Sequence, residues 1–333
     1  MNETKKRFNP YPEALFEERP AVPNIAMELN SDLRNDGKPA EISRRYFLPI
    51  ITTAEMLSAG NVIFTGDRAG AYPELEYALG IFYKRVRNIL LRVHPGEIAD
   101  KGPMIGKFVD RVDYRLGPWS GKQSEKAVRS EIDNAAQEIE GLKSVHDPPW
   151  ITASLYTTSF SLRILGQLVE ILEKAGFDRL EFFPANLFIA PDNTRRQDPS
   201  DPDILLEKEE IKSLEGEFWE MLEEKYFRSR LFDLNISRRQ LERTLNYYAA
   251  AKGKRDFEPP HCRASRLSLY IDANCGVRVC PFQPTLGNLK KTTLRSISES
   301  ETLRNFRANM KHNQNPICPP CAGDYPHQLR RSK

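Results

Sequence analysis

Six short apolar runs, separated by helical patterns along roughly the first half of the chain, restrict what this sequence can fold into more than any other feature. They are Ile25-Ala-Met-Glu-Leu-Asn30, Asn61-Val-Ile-Phe-Thr65, Asn88-Ile-Leu-Leu-Arg-Val93, Arg111-Val-Asp-Tyr-Arg-Leu116, Trp150-Ile-Thr-Ala-Ser-Leu-Tyr156 and Arg179-Leu-Glu-Phe-Phe183. Each has the length and the β-branched or aromatic content of a strand. The clearest intervening helix carries Leu162, Leu165, Val169 and Leu172 and ends at Gly176, where a glycine can take the left-handed conformation that closes a helix. Strands joined through helices run parallel, as βαβ units. No Gly-x-Gly-x-x-Gly follows the first strand, which argues against a dinucleotide-binding sheet and for an open or partial barrel.

The stretch from Ala190 to Asp203 is rich in Pro, Asp and Arg and reads as a loop. Helical segments are predicted over about Glu207 to Tyr226 and Arg238 to Ala251, and the basic stretch Lys252 to Pro260 is the best domain boundary. The predicted layout is an N-terminal extension (1–20), a partial barrel with a helical linker (21–255) and a small C-terminal domain (256–333). In the last of these, Arg266 to Ile271 and Gly276 to Val279 read as a hairpin around Asp272-Ala-Asn-Cys-Gly276. Helices holding Leu294 and Ile297, then Leu303, Phe306 and Met310, follow it.

All five cysteines of the 333-residue chain fall between Cys262 and Cys321. Cys262, Cys280 and the pair Cys318-Pro-Pro-Cys321 have the spacing of a four-coordinate metal or iron–sulfur site, with a turn setting one edge of the tetrahedron and folding supplying the other. An odd count gives no complete set of disulfides. The Cys-x-x-Cys also stands away from any strand-to-helix position that would activate it as a redox pair. Zinc and a cluster accept the same four thiolates, and spacing does not separate them. A net charge of +3 points to no polyanionic partner. No nucleic-acid fingerprint, P-loop or Ser-His-Asp order is present, and no apolar run of membrane-spanning length occurs, so neither nucleic acid nor membrane is an expected partner. Thiols grouped for a metal suit the reducing cytoplasm.

The C-terminal segment also carries Gly276-Val277, Cys280-Pro281-Phe282, Leu286-Gly287-Asn288, Thr293-Leu294-Arg295-Ser296-Ile297 and the closing Cys318-Pro-Pro-Cys321, in that order. It resembles the auxiliary-cluster module of radical SAM enzymes, in the short twitch form related to SPASM domains. The resemblance implies an α/β fold, a partial (β/α)6 barrel of radical SAM type with a small C-terminal α+β iron–sulfur domain. It also implies one [4Fe–4S] cluster on Cys262, Cys280, Cys318 and Cys321. A full SPASM module would hold two clusters and needs more cysteines. Cys275, in the hairpin turn, falls outside the ligand set. So small a metal-organised module is expected to have little core of its own.

The resemblance breaks upstream. Radical SAM enzymes place Cys-x-x-x-Cys-x-x-Cys just after the first strand; here the three positions hold Ser31, Asn35 and Lys38, none of which replaces a thiolate on iron. A Gly-Gly-Glu that grips the SAM amino group after the second strand reads Gly66-Asp67-Arg68, and a cationic Arg68 would repel that ammonium. The barrel therefore resembles a radical SAM scaffold without its radical chemistry, and SAM is a doubtful ligand. On this reading the chain is an iron–sulfur protein that binds a peptide or protein partner, its cluster serving structure or electron transfer in a maturation pathway. The alternatives are an active radical SAM enzyme modifying a peptide or natural-product precursor, and a zinc-stabilised binding module. Among other polar residues, His94, Asp113 and Arg115 near predicted strand ends are read as structural, His261 as a neighbour of the cluster rather than a ligand, and Arg330, Arg331 and Lys333 as a solvated tail.

Overall fold

The computed structural model describes residues 22–31, 40–117, 125–184, 233–235, 238–258, 262, 264–310, 315 and 317–321. Strand β1 (Asn24–Glu28) is followed by a small antiparallel pair, β2 (Asn30–Ser31) and β3 (Ala40–Glu41). The remaining strands that the sequence marks then appear in turn as β4 (Asn61–Thr65), β5 (Asn88–Val93), β6 (Arg111–Leu116), β7 (Trp150–Thr157) and β8 (Arg179–Pro184). A short β9 (Asp233–Asn235) precedes the helix Arg238–Ala251, and β10 (Ser268–Ile271), β11 (Gly276–Arg278) and β12 (Gly287–Asn288) complete the set. The expected helix over 207–226, the loop from 190 and the first twenty residues lie outside the described residues.

Among the described residues, ten strands form one sheet in the order β12-β11-β10-β1-β4-β5-β6-β7-β8-β9. Pairing is parallel from β10 through β9 and antiparallel only at β10–β11 and β11–β12. This is the expected α/β architecture of a radical SAM-type barrel. Alternate residues divide between its two faces, as the pleat requires. Ile25, Met27, Val62, Phe64, Leu91, Tyr114 and Leu155 join the helix-side core with Phe47, Phe82, Leu142 and Leu172, whereas Ala26, Ile63 and Leu90 form a separate apolar patch on the concave face. Local signals place the helices as well. Leu165–Lys174 closes where Gly176 takes φ +88° while its N–H donates to Glu173 O at 3.0 Å and that of Phe177 to Leu172 O at 3.1 Å. Thr293 and Ser300 cap the helices Leu294–Ser298 and Glu301–Asn309 by accepting from Ser296 N at 3.1 Å and Leu303 N at 3.2 Å.

The C-terminal segment shares the barrel's core, because β10 pairs with β1 and carries the barrel's helix-side layer onward. Leu269, Ile271, Val277, Val279, Leu294, Ile297 and Leu303 belong to the same buried cluster as the barrel helices.

Candidate metal centre

Four of the five cysteines are drawn together by the hairpin and the closing turn. Cys262 stands just before the short helix Ala264–Leu267, and Ala264 N–H donates to its sulfur at 3.4 Å. Cys280 follows β11 in a turn that Gln283 N–H closes on Cys280 O at 3.2 Å, with the Phe282 and Gln283 N–H groups near enough to favour its thiolate. Cys318 and Cys321 share a turn closed by Cys321 N–H on Cys318 O at 3.1 Å. Cys262 and Cys280 pack on the concave apolar patch of Ala26, Ile63, Leu90, Ala264 and Tyr270. The thiols are electrostatic neighbours: a charge on Cys280 is opposed by Cys262 and Cys318, and one on Cys318 by Cys321 and Cys262. Burial is the main cause that pushes Cys280 and Cys318 up to about 12, and burial also raises Cys262. A bound cation would reverse this and hold them as thiolates, onto which the N–H groups already point. Among the described residues, no three His, Cys, Asp or Glu are gathered tightly enough for a single metal ion.

Cys275 faces the other way. It takes φ +68° in the turn between β10 and β11, is 1% exposed and belongs to the helix-side core. Asp272 builds that turn by accepting Asn274 N–H at 2.9 Å and Gly276 N–H at 2.8 Å.

The two loops that would carry a radical SAM signature are bonded to each other. Asn30 Nδ2 donates to Arg68 O at 2.7 Å while Arg68 N–H donates to Asn30 Oδ1 at 3.0 Å, and Asp67 N–H donates to Asn30 O at 3.2 Å. The Ser31 hydroxyl, 8% exposed, donates to Asp67 Oδ2 at 3.2 Å. Gly66 is required here, since a Cβ would lie 2.7 Å from Asn30 O. Asn35, Lys38 and His261 lie outside the described residues.

Residues 262–322 match the SPASM family, an iron–sulfur cluster-binding domain. The fold is similar to the crystal structure of Streptococcus suis SuiB bound to precursor peptide SuiA, with a TM-score of 0.57 and 12% identity over 91% of this chain and 70% of that one. It is also similar to anSMEcpe with bound AdoMet, with a TM-score of 0.59 and 10% identity over 85% and 79% of the two chains. The chain has the fold of these two proteins and carries a SPASM module at residues 262–322. No curated protein matches it. Among the described residues, no helix is long and apolar enough to cross a membrane.

The barrel also holds charge that the strand runs concealed. On its concave face Arg92 Nε pairs with Asp113 Oδ2 at 3.0 Å, the Ser154 hydroxyl bonds the other Asp113 oxygen, and Glu181 pairs with Arg111 at 2.9 Å and Arg179 at 3.1 Å. Burial alone would raise the Asp113 carboxyl, but Arg92, Arg111, Arg115 and Ser154 outweigh it and hold the group below its ordinary range. At Glu181 burial prevails and, with the Asp113 charge, raises the carboxyl despite Arg111 and Arg179. Burial lowers His94, and Arg115 adds to that. Asp113 thus has the geometry of a structural ion pair. The period-2 alternation of Arg111, Asp113 and Arg115 against Val112, Tyr114 and Leu116 marks this polar face, but not the partners on neighbouring strands.

Proposed function

We propose that this chain carries one [4Fe–4S] cluster on Cys262, Cys280, Cys318 and Cys321, generates no radical from SAM, and offers its barrel mouth to a peptide or a partner protein within a maturation pathway. The observation that carries this reading is the bonding of Asn30 and Ser31 to Asp67 and Arg68. The first cysteine position of a radical cluster holds a hydroxyl tied to the loop that would otherwise grip SAM. Four thiols whose charges sense one another suit the corners of a cubane. When bound, the cluster would order the closing turn and could pass single electrons. Ala264 N–H, the Phe282 and Gln283 N–H groups and the Gln283 side chain would stabilise its thiolates. A peptide occupant is supported by the likeness to SuiB bound to precursor peptide SuiA and to anSMEcpe with AdoMet and the Cp18Cys peptide, the latter with a TM-score of 0.57 and 11% identity over 85% of this chain and 82% of that one. A reducing compartment such as the cytoplasm suits thiols grouped for a metal.

Anaerobic reconstitution should load about four irons and four sulfides per chain. Incubated with SAM and a strong reductant, the protein should release no 5′-deoxyadenosine above a blank and show no saturable SAM binding by calorimetry. Seven to eight irons with enzyme-dependent 5′-deoxyadenosine would overturn the reading in favour of an active enzyme, on the order of one further cluster. Stoichiometric zinc without iron would favour a structural module.

A further inference from the structure

Gln283, 2% exposed, ends a chain of hydrogen bonds that runs consistently in one direction. Ile317 N–H donates to Asn315 Oδ1 at 2.9 Å, which leaves the Asn315 amide nitrogen to donate to Gln283 Oε1 at 3.2 Å. With its oxygen engaged, Gln283 turns its NH2 group to the Cys318 sulfur at 3.6 Å. A backbone N–H cannot accept, so neither amide can be turned over without losing a bond. Asn315 also accepts Cys318 N–H on its backbone oxygen at 3.1 Å, so one residue shapes the turn and orients the donor above it.

We propose that Gln283 is a positioning residue that raises the reduction potential of the auxiliary cluster by donating to the Cys318 thiolate. This rests on the cluster reading above. In the one-electron reduction the oxidised cluster takes an electron from the titrant, no covalent bond is made or broken, and negative charge on the thiolate sulfurs grows. A fixed N–H donor stabilises the more negative state better than the less negative one, and burial strengthens the effect. Among residues outside the ligand set, an amide held by a second amide is preorganised for this in a way a solvated side chain is not.

The test compares the full-length unmodified protein, Gln283→Met and Asn315→Ala by iron analysis and an EPR-monitored redox titration with mediators. Gln283→Met keeps the length of the side chain and removes the donor; it should hold the same iron and titrate at a more negative potential. Asn315→Ala leaves the donor but not its orientation and should shift the potential the same way by less. Full iron with an unmoved potential in Gln283→Met would overturn the proposal and leave the cluster reading intact. If Gln283→Met fails to load, Asn315→Ala and Gln283→Leu decide by the same criterion. An unmodified protein that binds zinc or no iron would overturn the cluster reading and this inference together.

Discussion

Cys275 and Cys280 are near neighbours in sequence but lie on opposite faces of one sheet, and the difference decides which of them a metal can use. Cys275→Ala should therefore keep the full iron content and cost about 1 kcal/mol of stability, since it trims a buried side chain without touching the sulfur group. Cys280→Ala should lose the cluster. Iron content and the visible absorbance of the reconstituted variants check both, and iron lost from Cys275→Ala but retained by Cys280→Ala would reverse the ligand assignment. The candidate thiols were legible in the sequence because their spacing is local punctuation. Gln283 and Asn315 were not, because their roles depend on a contact between distant segments and on the direction of two amides, neither of which spacing or composition encodes.

At the scale of elements, the loop after β5 clasps the loop after β4. Glu97 Oε2 accepts Gly70 N–H at 2.9 Å, Lys101 Nζ donates to Gly70 O at 2.8 Å, and Glu138 accepts Ile98 N–H at 2.6 Å. Burial, reinforced by the Glu138 charge, pushes the Glu97 carboxyl from an ordinary 4.5 up to about 7, against the N–H groups of Gly70 and His94 and the charge of Arg68. A raised carboxyl binds its proton more tightly in the folded state than in the unfolded one. Its contribution to stability is therefore fully present below about 4.5 and lost as pH rises through about 7. The urea midpoint of the unmodified protein, taken relative to Glu97→Gln, should fall across that window and level off above it. A difference that stays flat with pH would show that the clasp is not titrating. The strands themselves were readable because period-2 alternation puts Val112, Tyr114 and Leu116 on one face and Arg111, Asp113 and Arg115 on the other. The ion pairs across strands were not readable, since parallel register is set only when distant runs meet.

Across the whole molecule, the core that the C-terminal segment shares with the barrel decides what iron removal should do. Chelation should release the closing turn 317–321 and Cys262, which packs on the patch of Ala26, Ile63 and Leu90, while β10, β11 and the helix Leu294–Ser298 keep their place in the shared core. Hydrogen exchange after chelation should therefore rise at the closing turn and stay low in β10 and β1. Loss of protection throughout β1 would mean that the cluster, not the core, holds the hairpin to the barrel. The pairing of β1 with β10 also bears on how the chain is made. Ala273 N–H reaches Glu28 across 245 residues of sequence, so this seam has high contact order and closes slowly relative to the local βαβ units. During synthesis β1 can dock on β4 early, but its other edge has no mate until the hairpin leaves the ribosome. A nascent barrel halted before residue 268 would present the unpaired edge of a parallel sheet, the template on which strands of other chains can add.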